Sequence, residues 1–388
     1  MKIVHLCLSN FFIDNFSYQE NIITKYHVKQ GHEVTVIASL FSFNKNGRGY
    51  YMKEPSEYIN NDGVKVIRIA YKKPFVKLNR LKRHYEGFME KLEQEKPDII
   101  FAHNFSMVDT KVLKLYLEKN PQVKLYADSH ADYINSGKNF LSRKILHPII
   151  WRHYSKLIEP FMIRCYGVTP QRCRFLKEMY HITPEKIEYL PLGVDDEAIP
   201  KDRQSIRNSV RAELNISNND ILIFTGGKID KLKNIHILIE VLDRLKMNNL
   251  HLVICGVFTP EMAYLEDIIK TNHNNIHYLG WCTATRVMEC MVAADIACFP
   301  GTHSTLWEQS VGIGMPAIFK RWDEMEQVNI NGNCIFINGE DYDELAKTII
   351  FLQSPNNFDE YQKKAVKASK FFLYSNISKR AINLISSY

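Results

Sequence analysis

From Thr225 to Asn234 the chain reads T-G-G-K-I-D-K-L-K-N, directly after an apolar run and into a helical pattern. Gly226 and Gly227 allow a ligand close to the main chain, and Lys228 and Lys233, five positions apart, can converge on one anionic group. Two ammonium groups beside a helix N-terminus suit a diphosphate, because their charge adds to that of free backbone N–H groups. A solvated basic start to a helix explains the same residues. A second stretch, F-P-G-T-H-S-T-L-W-E-Q-S-V-G-I-G-M-P-A-I-F, spans 299–319 and runs from strand through loop and short helix to another strand. Glu308 falls in the first turn or so of that helix, where a carboxylate can accept both hydroxyls of a ribose diol or simply complement the helix dipole. In the first half, Y-A-D-S-H-A-D-Y sets His130 just after a strand, and His103 follows the preceding strand. Each can serve a reacting centre or be a buried, hydrogen-bonded histidine.

These residues need elements that bring loop to loop. Short β-branched runs alternate with helical patterns throughout: strands over 2–8, 32–39, 64–70, 98–103 and 123–129, then over 221–227, 250–256, 275–280, 295–300, 316–319 and 334–337. A helix is predicted over 17–30, others lie between the later strands, and three helical segments end the chain. Such alternation predicts parallel sheets covered on both faces. The polar run D-D-E-A-I-P-K-D-R-Q-S-I-R-N-S after Val194 is the best linker in the chain, so two α/β doubly wound domains are expected, over 1–195 and 205–373. Ligands of such sheets bind at the carboxyl ends of the strands, and with two domains the default place is a cleft between them.

Composition agrees with this class and removes others. The chain has 388 residues, 45% of them hydrophobic, enough for two cores. Its net charge of +7 belongs to the first half, since residues 1–200 hold 30 basic and 22 acidic side chains and the remainder is nearly neutral. A protein uniformly coated in positive charge for nucleic acid is therefore not expected, nor is any recognition motif present. Eight cysteines without a C-x-x-C pair read as reduced thiols of a cytoplasmic protein. No apolar stretch approaches a membrane span. The loop after the first strand lacks G-x-G-x-x-G, which argues against a dinucleotide enzyme, and no phosphate loop, H-E-x-x-H or G-x-S-x-G occurs. The basic excess is local: K-K-P-F-V-K-L-N-R-L-K-R (72–83) has no acid, and from Lys138 to Lys177 Glu159 is the one acid among basic and bulky apolar residues. Such a surface suits an anionic membrane, or is a solvated face over a core stripe.

Four segments in order resemble the GT-B-fold glycosyltransferases, specifically the retaining, nucleotide-sugar-dependent family 4. Q-G-H-E-V-T-V-I (30–37) is similar to its first helix–strand junction and P-E-K-I-E-Y-L-P-L-G-V-D (184–195) to its run into the interdomain linker. G-G-K-I-D-K-L-K-N resembles its G-R-x-x-x-x-K-G element, with Lys228 in place of Arg and Lys233 on the Lys. W-E-Q-S-V-G-I-G-M-P resembles its E-A-x-x-x-G-x-P element and places Glu308 on the ribose-binding Glu. The family's earlier Glu is missing, Pro300 standing eight positions before Glu308, so His303, Ser304 and Thr305 are candidates for its role. Ser17 and Tyr18 occupy the place of the usual Gly pair in the N-terminal loop.

The resemblance implies two Rossmann-like domains facing across a cleft, with a last helix, 374–388, returning to the first domain. It implies transfer with retention from a nucleotide diphosphate sugar, UDP-linked by default, to a glycan or lipid-linked saccharide, without a metal or resident cofactor. Gly226, Gly227, Lys228, Lys233, His303, Ser304, Thr305 and Glu308 would hold the donor, Lys228 and Lys233 stabilising the leaving diphosphate. Ser17, Tyr18, His103 and His130 would lie on the acceptor side, His130 with a catalytic role. The rival readings are an inverting transferase or nucleotide-sugar epimerase on the same fold, and a GT-B subunit that supports a partner without catalysis.

Overall fold

The computed structural model describes residues 1–44, 48–272, 275–322 and 324–384. Its contacts divide the chain into two units, Met1–Pro191 with the chain from Ile377 onward, and Leu192–Asn376. In the first unit the order is β1 (Lys2–Cys7), α1 (Gln19–Lys29), β2 (Glu33–Ser39), a hairpin of β3 (Phe41–Phe43) and β4 (Gly49–Tyr51), β5 (Ser56–Ile59), β6 (Lys65–Ile69), α2 (Val76–Lys82), α3 (Phe88–Glu95), β7 (Ile99–His103), α4 (Thr110–Lys119), β8 (Lys124–Ser129), a π-helix Ser142–Trp151, α5 (Arg152–Ile158), β9 (Met162–Gly167), α6 (Pro170–Met179) and β10 (Ile187–Tyr189). The sheet runs β10-β9-β8-β7-β1-β2-β6-β5, with only β5 antiparallel to its neighbour. Its central strands are apolar almost residue by residue, as they must be when helices cover both faces.

The second unit holds α7 (Arg203–Glu213), β11 (Ile221–Ile229), α8 (Ile235–Leu245), β12 (Leu250–Phe258), α9 (Tyr264–Asn272), β13 (Ile276–Tyr278), α10 (Ala284–Ala293), β14 (Ile296–Phe299), α11 (Thr305–Gly312), β15 (Ala317–Lys320), β16 (Cys334–Ile337), α12 (Tyr342–Gln353) and α13 (Pro355–Ser369). The sheet, β13-β12-β11-β14-β15-β16, is parallel throughout. On α8, Ile235, Leu238, Ile239 and Leu242 recur at helical spacing and are buried in one core cluster with β11 and β12. Helix α14 (Tyr374–Ala381) follows, and its residues from Ile377 group with the first unit. Residues 385–388 of the expected last helix lie outside the described residues.

Both units are α/β with doubly wound sheets, the class that the alternation of strands and helices predicts. Three details differ from the sequence reading. The expected linker is only partly irregular: Asp202 caps α7 by accepting from the Ser205 N–H, 2.9 Å away. The strand expected over 221–227 ends with Gly226 and Gly227, and β11 runs two residues further, in register with β12 as far as Ile229 opposite Phe258. A Cβ on Gly226 or Gly256 would overlap the main chain of the neighbouring strand, so the close approach of β11 and β12 itself requires glycine there. The first sheet also gains β5, β9 and β10, short strands whose exposed or charged positions break the apolar pattern.

All eight cysteines are free thiols, six of them buried and Cys173 and Cys282 half-buried. Among the described residues, no helix is long and apolar enough to cross a membrane, and no group of His, Cys, Asp or Glu side chains is placed to hold a metal ion.

Candidate functional site

In each sheet the strand order reverses at one point, between β1 and β7 in the first unit and between β11 and β14 in the second. Loops leaving the carboxyl ends of such a strand pair diverge, and the crevice they leave is where open α/β sheets bind ligands.

In the second unit this crevice is built by side chains that lock main chain. Lys233, on the turn after β11, donates from Nζ to the carbonyls of Thr302 and His303, at 2.7 and 2.9 Å. Asn234 Nδ2 donates to the carbonyls of Pro300 and Gly339. The Thr302 N–H returns a bond to the Leu232 carbonyl. A Cβ on Gly301 would overlap the main chain of Leu232 and Lys233, so the two loops touch along their backbones. Ser304 caps α11, its Oγ accepting from the Leu306 N–H. The end of β11 comes to this cap: a Cβ on Gly227 would lie 4.0 Å from Ser304 Oγ.

Glu308 is in the first turn of α11 as predicted, but its side chain is 0% exposed. Its two carboxylate oxygens accept from His303 Nε2 at 2.8 and 3.0 Å, and Gln327 Nε2 adds a third bond at 3.2 Å. His303 is the half-exposed partner, its ring edge-on to the buried Trp307. The Glu308 carboxylate is therefore enclosed by His303 and Gln327, where the sequence reading expected one open to a ligand. The two lysines also differ from expectation. Lys228 is exposed at the end of β11, whereas Lys233 is spent on two carbonyls and does not stand beside Lys228 as a second free ammonium. Burial lowers Lys233 to about 8, partly offset by the charge of Asp230. Of the other candidates, Thr305 is exposed and Ser304 half-buried as the helix cap.

In the first unit the crevice is lined by polar atoms that the protein leaves unpaired. Ser9 Oγ after β1, both amide atoms of Gln19 and Oδ1 of Asn21 on α1, Asn104 Oδ1 after β7 and His130 Nε2 after β8 are buried without a hydrogen bond. They follow strands β1, β7 and β8 or lie on the helix after β1, the carboxyl-end side at which open α/β sheets bind ligands. Ser9, Gln19, Asn21 and Asn104 escaped the sequence reading; the available signal was position, since each directly follows a strand or opens the helix after β1. The loop 8–18 is pinned by Arg68, which donates to the Phe12, Ser39 and Phe41 carbonyls and to Asp14 at 2.8 Å. Ser17 and Tyr18 are exposed on this loop.

His130 is 25% exposed, its Nε2 3.9 Å from Asp128 Oδ1. His103 does not line the crevice. It is fully buried and both its ring nitrogens are taken, Nδ1 by Asp128 Oδ2 at 2.9 Å and Nε2 by His5 Nδ1 at 3.0 Å. The expectation of an acceptor contact from His103 is corrected accordingly.

Two family models match the chain in order: Glycosyltransferase Family 4 over residues 23–198 and Glycosyl transferases group 1 over residues 206–370. No curated protein matches it by sequence. Among solved structures, a glycosyltransferase from Rickettsia africae ESF-5 is similar with TM-score 0.67 at 16% identity, covering 99% of this chain and 97% of its own. HepE from Anabaena, solved in complex with UDP and glucose, aligns over 100% of both chains with TM-score 0.65 at 16% identity. Sucrose-phosphate synthase from Thermosynechococcus elongatus gives 0.64 at 14% identity over 99% and 98% of the two chains. At these identities the likeness is one of fold. With both halves matched in order, the chain belongs to the GT-B-fold glycosyltransferases of the family 4 type.

Proposed function

We propose that the protein moves a sugar from a nucleotide diphosphate donor, UDP-linked by default, to a saccharide acceptor with retention of configuration, in cell-surface polysaccharide synthesis. The observation that carries the donor side is the pre-built crevice of the second unit, where Lys233 and Asn234 fix the loop 300–303 at the reversal of strand order. A diphosphate placed there meets the exposed Lys228 ammonium, the N-terminus of α11 and the partly desolvated charge of Lys233. As the sugar–phosphate bond lengthens, negative charge grows on the leaving diphosphate, and donors already in place stabilise it without reorganising. Glu308 acts through His303: by accepting Nε2–H it fixes the tautomer and leaves Nδ1 as the lone pair for a donor hydroxyl. On the acceptor side, the unpaired atoms of Ser9, Gln19, Asn104 and His130 receive sugar hydroxyls. The reaction is proposed to proceed without a metal.

A thermal-shift screen against UDP-, GDP-, ADP- and dTDP-sugars tests this reading. A UDP-sugar is expected to raise the melting temperature, by mass action on the folded state. No shift with any nucleotide sugar contradicts it.

The acceptor is proposed to be lipid-linked, reached on the cytoplasmic face of an anionic membrane. Phe75 and Leu81 on and beside α2 and Phe140, Leu141 and Ile149 on and beside the π-helix are each 60% exposed or more, among Lys72, Lys73, Lys77, Arg143 and Lys144. Arg83 lies 5.6 Å over the Trp151 ring, a contact between the two stretches. Basic and bulky apolar groups together are the chemistry of a peripheral membrane contact. Anionic vesicles are expected to bind the chain and neutral ones not to, with binding lost when the six basic residues of 72–83 are neutralised.

A further inference from the structure

Behind His130 runs a chain of buried groups that the proposed transfer does not use. Asp128 Oδ2 meets His103 Nδ1 at 2.9 Å, and His103 Nε2 meets His5 Nδ1 at 3.0 Å. His5 Nε2 meets His27 Nδ1 at 3.0 Å, and His27 Nε2 meets the Ser378 carbonyl on α14 at 2.9 Å. All three rings are fully buried. With Asp128 ionised, neither end can donate. The Ser378 carbonyl only accepts, and an ionised carboxylate only accepts.

Four hydrogen bonds between two acceptors need four N–H groups, whereas three neutral imidazoles have three. The count is met with the extra proton on any one of the three rings, and His103 is the ring that hydrogen-bonds the Asp128 carboxylate, where a positive charge is best placed. With the charge there, His27 gives Nε2–H to Ser378 and its Nδ1 accepts from His5 Nε2–H, while His5 Nδ1 accepts from His103 Nε2–H and His103 gives Nδ1–H to Asp128.

We infer that His103 is a positioning residue held as an imidazolium by this array, which keeps Asp128 ionised and presents its second oxygen to His130. Asp128 Oδ1 accepts the Asn104 N–H at 3.1 Å and is the carboxylate oxygen nearest His130 Nε2. The Asp128 charge thereby acts on His130 across a gap of 3.9 Å, and Nε2, without a hydrogen-bond partner in the protein, is left for a sugar hydroxyl. The surroundings fit this charge. His5 and Cys7 face the array from β1, Glu20 and His27 from α1, His32 from just before β2, His130 from beyond the end of β8, and Cys165 from β9. Burial works against a charged His103, but the carboxylates of Asp128 and Glu20 outweigh it and hold it above the usual histidine range. Asp128 is held below the carboxylate range despite its own burial, by His103 first. His5 and His27 go the other way, His27 to about 4, as neutral links must.

The test is a nitrogen-15 NMR titration of the full chain labelled at histidine. One imidazole with both nitrogens protonated is expected to persist from about pH 6 to about 8.5, where exposed histidines lose their charge. It is expected to vanish in Asp128→Asn, whose amide N–H can supply the bond that required the extra proton. A wild-type spectrum with no such ring overturns the assignment even if the variant fails to fold, and so does an unchanged signal in a folded Asp128→Asn. The positioning role rests on the proposed transfer and is read separately. Asp128→Asn is expected to lower kcat roughly tenfold or more while the donor KM stays within about twofold. Unchanged kcat overturns that role, whereas a wild-type chain without transferase activity refutes the proposed function and leaves the NMR result standing.

Discussion

The two crevices sit at equivalent places in their sheets and are finished in opposite ways. In the second unit the side chains are spent on holding main chain: Lys233 and Asn234 tie down the loop 300–303, and Glu308 is enclosed by His303 and Gln327. In the first unit the charged groups are buried one layer back, in the histidine array, and the crevice itself presents polar atoms without partners. A rigid cradle suits a constant group such as a nucleotide diphosphate, and unpaired hydroxyl and amide groups suit the variable hydroxyls of a sugar. The difference teaches that the protein spends its polar groups on its own main chain in one crevice and leaves them without partners in the other.

The largest expected effect comes from breaking the rigid side. Lys233→Ala removes the clamp on loop 300–303 together with a partly buried positive charge, and is expected to lower transfer by about 10² to 10³ while circular dichroism stays native. Unchanged turnover would remove the diphosphate assignment. Next in size is Gly301→Ala, whose Cβ meets backbone and no yielding side chain. A loss of about 3 kcal/mol in stability is expected from urea unfolding, and a neutral result would mean the two loops do not touch as described.

Acid should act on the first crevice in a comparable way. His27 falls from an ordinary histidine value to about 4 because it is fully buried and neutral, so the unfolded chain binds the extra proton between about pH 6.5 and pH 4. Stability is then present above that window and is lost as pH falls through it, by on the order of 3 kcal/mol from this residue. Urea midpoints from pH 7 down to pH 4.5 check the slope, and His27→Gln is expected to flatten it. The smallest effect is on donor affinity in mild alkali. Lys233 loses its proton near pH 8, and a diphosphate prefers it charged, so affinity is expected to fall a few-fold between about pH 7 and pH 9.

The fold was legible because parallel strands buried on both faces are nearly continuous apolar runs, and the expected strands 98–103 and 334–337 nearly coincide with β7 and β16. Strands such as β5, half of whose residues are exposed, carry no such run. Motif spacing pointed to the loops that meet at the reversal of strand order in the second unit, but not to the state of their side chains. Nothing local to Lys233 shows that its ammonium reaches carbonyls some seventy positions away, or that His303 folds over Glu308. The histidine array is less legible still. His5, His27 and His103 belong to three elements, and only the parallel register of β1 with β7 sets the first beside the last.

The central claim is that the second unit's crevice holds a nucleotide diphosphate sugar and that its sugar is passed on with its anomeric configuration kept. The most direct measurement is NMR of the product formed by the purified chain from an α-linked UDP-sugar and a saccharide acceptor. An α-linked product, absent with Lys233→Ala, is the predicted result. A β-linked product, or the same product from the variant at the same rate, would contradict it.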